Sequence, residues 1–274
     1  MFEHGETLPC YTKPIFMKIP QNVKAFLFDL DGTLYFRGAQ IPGAAEALDE
    51  LRKRGYKLRF LTNTDSIPES DILDRMTQNG IIAEKHEVFS PVTAVRNFFT
   101  NNPALTCYCL VTDKVAQALQ GLNYNNQNPD YVVIGDFRDK VSYDQIDKVF
   151  RMIHSGAKVL CTNKGKLFFK EDGPHIDTGA FVTMFEYATG AESQLLGKPT
   201  AGFFNLALDN LGITKDEAVV VGDDIGVDVG GAKNIGSLSV LVKTGKYTED
   251  VVEKTGIHPD FIIDSIASIR DILS

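Results

Sequence analysis

The stretch Lys24 to Tyr35 reads Lys-Ala-Phe-Leu-Phe-Asp-Leu-Asp-Gly-Thr-Leu-Tyr, and its interpretation decides the fold. Four apolar residues in succession, Ala25 to Phe28, have the length and aromatic content of a strand buried on both faces of a parallel sheet, and Gly32 supplies the turn that ends it. Asp29 and Asp31 then sit at the carboxyl end of a strand, the edge at which open α/β sheets bind their ligands. An isolated Asp-x-Asp-Gly is more often a polar strand end beside a turn glycine. Only further motifs along the chain turn these two carboxylates into chemistry.

The 274 residues, 43% hydrophobic and 23% charged, provide material for one large or two modest domains, and two suit the pattern better. A net charge of -8 argues against a nucleic-acid or anionic-membrane surface, either of which needs a basic stripe. Any anionic substrate must be held by a local device. No apolar run approaches a membrane span, and the acidic start Met-Phe-Glu-His-Gly-Glu is unlike a secretory signal, so the expected location is cytoplasmic. Cys10, Cys107, Cys109 and Cys161 form no C-x-x-C pair and read as reduced packing residues; Cys107 and Cys109 alternate along a strand and should face one side of it.

Residues 1–20, with Pro9, Pro14 and Pro20 and no clear period, read as an N-terminal extension. A helix over 44–54, closed by Gly55, leads to a strand over Lys57 to Leu61 that delivers Thr62 and Asn63 to the same edge as the aspartates, because a strand-helix-strand crossover is parallel. Ser66 and Glu69 have capping-box spacing, so a helix amino end is expected beside Thr62, where a phosphate would meet N–H groups. A second strand-helix alternation fills about 92–195. Leu195-Leu196-Gly197-Lys198-Pro199 then reads as a short strand ending in a lysine, with Pro199 at the first position of the next helix. Ala218 to Val221 is a buried strand run followed by Gly222-Asp223-Asp224-Ile225-Gly226-Val227-Asp228; Asp224 is expected to be a helix cap. Strands over 237–242 and 261–263 and a helix over 266–273 finish the sheet.

Four strand ends thus carry Asp29/Asp31, Thr62/Asn63, Lys198 and Asp223/Asp228, in that order. This pattern resembles the haloacid dehalogenase-like superfamily of phosphohydrolases, whose four motifs are Asp-x-Asp-Gly-Thr, a strand-end Thr or Ser, a Lys, and Gly-Asp followed by a second Asp. The resemblance covers roughly 24–264 and implies an α/β fold: a doubly wound, Rossmann-like parallel-sheet core with a second, inserted α/β cap domain. More than a hundred residues separate Thr62 from Lys198, which places the insertion between the second and third motifs. The family's subclass with a large α/β cap at that position includes nitrophenylphosphatase-like, phosphoglycolate and pyridoxal phosphate phosphatases. The stretches from Asn163-Lys164-Gly165-Lys166 to Lys243-Thr244-Gly245-Lys246 look especially like its branch holding phospholysine phosphohistidine inorganic pyrophosphate phosphatase and haloacid dehalogenase-like hydrolase domain-containing protein two. The expected division is a catalytic core of 21–94 and 195–274 around a cap of 95–194.

The resemblance and the residue types imply a Mg²⁺-dependent phosphohydrolase acting on a small phosphorylated compound, whether ester, pyrophosphate or phosphoramidate, through a phosphoaspartate. Asp29 is the expected nucleophile and Asp31 the proton-transfer group. Thr62, Asn63 and Lys198 are expected to bind the phosphoryl oxygens. Asp29, the backbone carbonyl of Asp31, and Asp223 would ligate Mg²⁺, with Asp228 holding a metal-bound water. Asn163, Lys164 and Lys166 are candidates to reach the substrate from the cap, which is also a candidate homodimer surface. The alternatives are a phosphate-compound binding or regulatory protein on a silent fold of this kind, and carbon-halogen cleavage, which does without Mg²⁺ and leaves Asp31 and Asp223 unexplained.

Overall fold

The structure is a computed structural model that describes residues 18–170 and 172–274. Most of the expected N-terminal extension, residues 1–17 with Cys10, lies outside the described residues. Ten strands build two parallel sheets: β1 (Ala25–Asp29), β2 (Lys57–Leu61), β3 (Val88–Phe89), β4 (Cys107–Leu110), β5 (Tyr131–Ile134), β6 (Lys158–Cys161), β7 (Ser193–Leu195), β8 (Ala218–Gly222), β9 (Leu238–Val242) and β10 (Phe261–Ile263). The six-stranded sheet runs β10-β9-β8-β1-β2-β3 and the four-stranded sheet β7-β6-β5-β4. Antiparallel hairpins at Tyr35–Phe36/Ala39–Gln40 and Leu167–Lys170/Gly173–Ile176 complete the strands.

The run Ala25 to Phe28 lies at the centre of the larger sheet, paired with Ala218 to Val221 on one side and Lys57 to Phe60 on the other. Its side chains alternate between two apolar layers, as strand geometry requires. Phe26 and Phe28 join Leu48, Leu51, Ile72 and Ile269 on one face; Ala25 and Leu27 join Val95, Phe203 and Ala207 on the other. Both faces are covered by helices, so the sheet is doubly wound and its central strand has no polar side. Each fully buried Phe contributes on the order of 2 kcal/mol. The second layer continues into Val115, Val133 and Leu160, so one apolar cluster runs beneath both sheets.

Several expectations change in detail. The Ser66/Glu69 capping box does not form: Pro68 is the N-cap of the helix Glu69–Gln78 and offers no side-chain acceptor. The buried Glu69 carboxylate instead accepts from Thr93 at 2.6 Å and Arg96 at 2.9 Å. Pro199 precedes the helix Ala201–Leu211, whose N-cap is Thr200. The short strand before Lys198 pairs with β6 in the four-stranded sheet, not with the larger one. The helix Pro91–Thr100 runs across the expected boundary at 94/95, and β7 across that at 194/195.

Candidate active site

The carboxyl ends of the central strands meet a cavity of about 510 Å³, lined from the larger sheet by Asp29, Asp31, Thr62, Asn63, Asp223 and Asp228 and crossed by Lys198. From the loops of the smaller sheet come Asp136, Arg138 and Asn163, with Phe168 from the Leu167–Lys170 hairpin and Asp177 from the segment that follows it. Lys198 is 4% exposed and its Nζ stands between two carboxylates, 2.5 Å from Asp29 Oδ1 and 2.7 Å from Asp228 Oδ1. Burial works against its charge, but the carboxylates of Asp228 and Asp29 outweigh that and hold its pKa above the usual lysine range.

Asp223 is nested in a cradle of main chain. Its Oδ2 accepts the Lys246 N–H at 2.7 Å. Gly32 at φ 98° and Gly245 at φ 58° flank it so closely that a Cβ on either would stand 2.2 or 2.1 Å from Oδ2. Glycine is therefore required twice over at both positions, for backbone and for space. Asp29, Asp223 and Asp228 each offer a carboxylate oxygen within 4.8 Å of the others. Burial and the charge of Asp29 raise Asp223; burial raises Asp228, with Lys198 opposing and Asp29 adding. Three converging carboxylates and a single buried ammonium leave excess negative charge, and hard oxygen donors of this kind fit Mg²⁺. The Asp31 carboxylate is not in that group. It opens to the cavity, and the protein packed around its base, together with Asp29, raises its pKa.

The phosphate-binding candidates separate. Thr62 is buried, and its Oγ1 accepts the Thr64 N–H at 3.0 Å in a tight turn. Both polar atoms of the Asn63 side chain are engaged elsewhere: Nδ2 donates to the Lys198 carbonyl at 3.0 Å and Oδ1 accepts the Lys198 N–H at 2.8 Å. The Asn63 side chain therefore clamps the lysine's peptide. The expected helix dipole is likewise displaced, because the cavity wall is the turn Thr62 to Ser66 and the helix begins only at Glu69. Asp224 is the cap expected of it, accepting from Gly226 and Val227 at 3.0 Å.

Of the three cap candidates, Asn163 lines the cavity, with Nδ2 donating to Asp177 at 2.9 Å. Lys164 and Lys166 do not line it. Lys164 is drawn away by Glu186 at 2.8 Å and Lys166 is solvent-exposed. Cys107 and Cys109 lie on one side of β4 as expected, sulfurs 4.0 Å apart, and with Cys161 are free thiols. Sequence reasoning missed Asp65, Arg75, Asp136, Arg138, Phe168, Asp177 and Lys246, all on the cavity. The strand-end rule, applied to the second sheet as to the first, finds Asp136, two residues beyond β5; Arg75, in the middle of a helix, carries no such signal.

Models of known families match this architecture at both ends of the chain: haloacid dehalogenase-like hydrolase over residues 26–125, and HAD-hyrolase-like over 195–269. The mouse protein haloacid dehalogenase-like hydrolase domain-containing protein 2 is 37% identical over 93% of this chain and 97% of its own length. The chain belongs to the haloacid dehalogenase-like hydrolase family. Within the family, the phospholysine phosphohistidine inorganic pyrophosphate phosphatase of Xenopus laevis is 31% identical over 92% of this chain and 95% of its own. The p-nitrophenyl phosphatase from Archaeoglobus fulgidus superposes with a TM-score of 0.85 at 28% identity, over 92% of this chain and 99% of that one. The chain is accordingly a phosphatase of this family with the parallel-sheet core and added cap elements expected from its motifs. No helix among the described residues is long and apolar enough to cross a membrane.

Proposed function

We propose that the chain is a Mg²⁺-dependent phosphohydrolase that transfers the phosphoryl group of a small substrate first to Asp29 and then to water. The observation that supports this most is the convergence of Asp29, Asp223 and Asp228 in the cavity, with Lys198 paired to the first and last of them. Asp29, the Asp31 carbonyl and Asp223 would hold Mg²⁺, with Asp228 beside them. Bound there, the ion would offset the negative charge of the phosphoryl group, which otherwise repels an attacking carboxylate.

An Asp29 carboxylate oxygen attacks phosphorus and the bond to the leaving group breaks. Asp31, open to the cavity, gives its proton to the leaving atom and then takes one from the water that attacks the acyl phosphate, which returns both aspartates to their starting state. Lys198 neutralises charge on Asp29 and on the phosphoryl oxygens, held in place by Asp228 and by the Asn63 clamp on its peptide. The Thr62 turn presents N–H and hydroxyl groups to the same oxygens. The four-stranded sheet with its helices and hairpin serves as the cap that selects the leaving group. The decisive assay is hydrolysis of p-nitrophenyl phosphate with Mg²⁺, lost with EDTA and in Asp29→Asn. Turnover that survives either treatment would exclude this mechanism.

A further inference from the structure

Asp65 is a buried carboxylate, 5% exposed, that this mechanism does not use. It stands two residues beyond Asn63, yet its partners belong to the second half of the cavity wall. Its Oδ2 accepts from Thr162 Oγ1 at 2.7 Å and from Thr178 Oγ1 at 3.1 Å. Thr162 follows β6 and adjoins Asn163; Thr178 opens the helix Thr178–Thr189 next to its N-cap, Asp177. Asn163 and Asp177 are bonded to each other and line the cavity. A single oxygen thus holds both segments that carry this wall.

No cation among the described residues is ion-paired with Asp65. The charges that face it are Asp136 and Asp177, and the nearby Arg138 is paired with Asp136. Burial pushes the Asp65 carboxyl up to about 6, with the Thr162 hydroxyl opposing, the two neighbouring carboxylates adding and the Thr178 hydroxyl opposing. A neutral amide of the same shape would fold at lower cost. A costly charge at a site wall is where function and stability pull apart.

We propose that Asp65 is a positioning residue: it tethers the Thr62 turn to the Asn163 and Asp177 segments and so sets the wall that faces the leaving group across from Asp29. This rests on the phosphatase reading above. Three variants of the full chain test it, Asp65→Ala, Thr178→Val and Thr178→Ser, assayed on p-nitrophenyl phosphate with Mg²⁺ and by amide hydrogen exchange. Asp65→Ala, which removes the acceptor, and Thr178→Val should raise KM about fivefold or more with kcat within about twofold, and speed exchange over 162–166 and 177–180. Thr178→Ser, which keeps the hydroxyl, should restore both. Unchanged KM and exchange in Asp65→Ala, or equal effects of Val and Ser at 178, overturn the proposal. A wild-type chain without turnover would sink the phosphatase reading instead, while the exchange data still decide the tether.

Discussion

Replacing Asp65 by asparagine should stabilise this protein, and increasingly so as pH rises. The folded carboxyl is raised from 3.8 to about 6, so the folded state prefers the protonated form. Its contribution to stability is full below the unfolded pKa near 3.8 and is lost as pH rises through about 6. The interval between the two values corresponds to a penalty of ~3 kcal/mol once the group is ionised in both states. Linkage applied to the same two values leaves roughly half of that penalty at pH 5. Asparagine carries none of it. Urea unfolding of both proteins at pH 5 and pH 8 should therefore show the advantage of Asp65→Asn growing by on the order of 1 kcal/mol between the two conditions. The double difference cancels titrating groups that do not interact with Asp65 and any fixed change in hydrogen bonding to Thr162 and Thr178. An advantage that is flat with pH, or one that shrinks toward pH 8, would refute the claim that Asp65 is a buried, uncompensated charge.

Lys198→Met removes the ammonium between two buried carboxylates; it should abolish turnover and cost about 3–5 kcal/mol in urea unfolding at pH 8, and a variant as stable as wild type would contradict the ion-pair geometry. Gly32→Ala forces a side chain at positive φ into Asp223; activity should need at least roughly tenfold more Mg²⁺ for half-saturation, and an unchanged Mg²⁺ titration would separate Asp223 from the metal. Asn63→Ala should lower kcat more than it raises KM, since it frees the Lys198 peptide; a pure KM effect would return Asn63 to direct substrate contact.

The fold was legible because its main determinant is local. A four-residue apolar run with aromatics can be satisfied only by a strand covered on both faces, and three more strand ends bearing Asp, Thr or Lys point to a common chemical edge, to which the smaller sheet contributes Lys198. Asp29, Asp223, Asp228 and Lys198 follow from that edge and meet as expected. What was not legible depends on side-chain competition. Glu69 has the spacing of a capping residue, but Arg96 and Thr93 come from a distant helix and take its carboxylate. Lys164 has the charge to meet a substrate, but Glu186 lies closer. Asp65 follows the recognised Thr-Asn pair and gives no sign in sequence that its partners lie about a hundred residues further on.

These long-range contacts make the two sheets interdependent at the site. Lys198 emerges from β7, a strand of the smaller sheet, and reaches Asp29 at the end of the central strand of the larger one. Its peptide is fixed by Asn63 from the turn that also carries Asp65, and Asp65 in turn holds Thr162, whose sheet includes β7. The Thr62 turn is therefore a bracket: Asn63 fixes the ammonium that serves phosphoryl transfer, and Asp65 fixes the wall that receives the leaving group. A shift of the second sheet that broke the Thr162 and Thr178 bonds would act first on the wall. Lys198, independently secured by two carboxylates and the Asn63 amide, would stay in place. The geometry thus separates substrate selection from the chemical step, and it is why loss of the Asp65 acceptor is expected to move KM while the Asn63 and Lys198 variants move kcat.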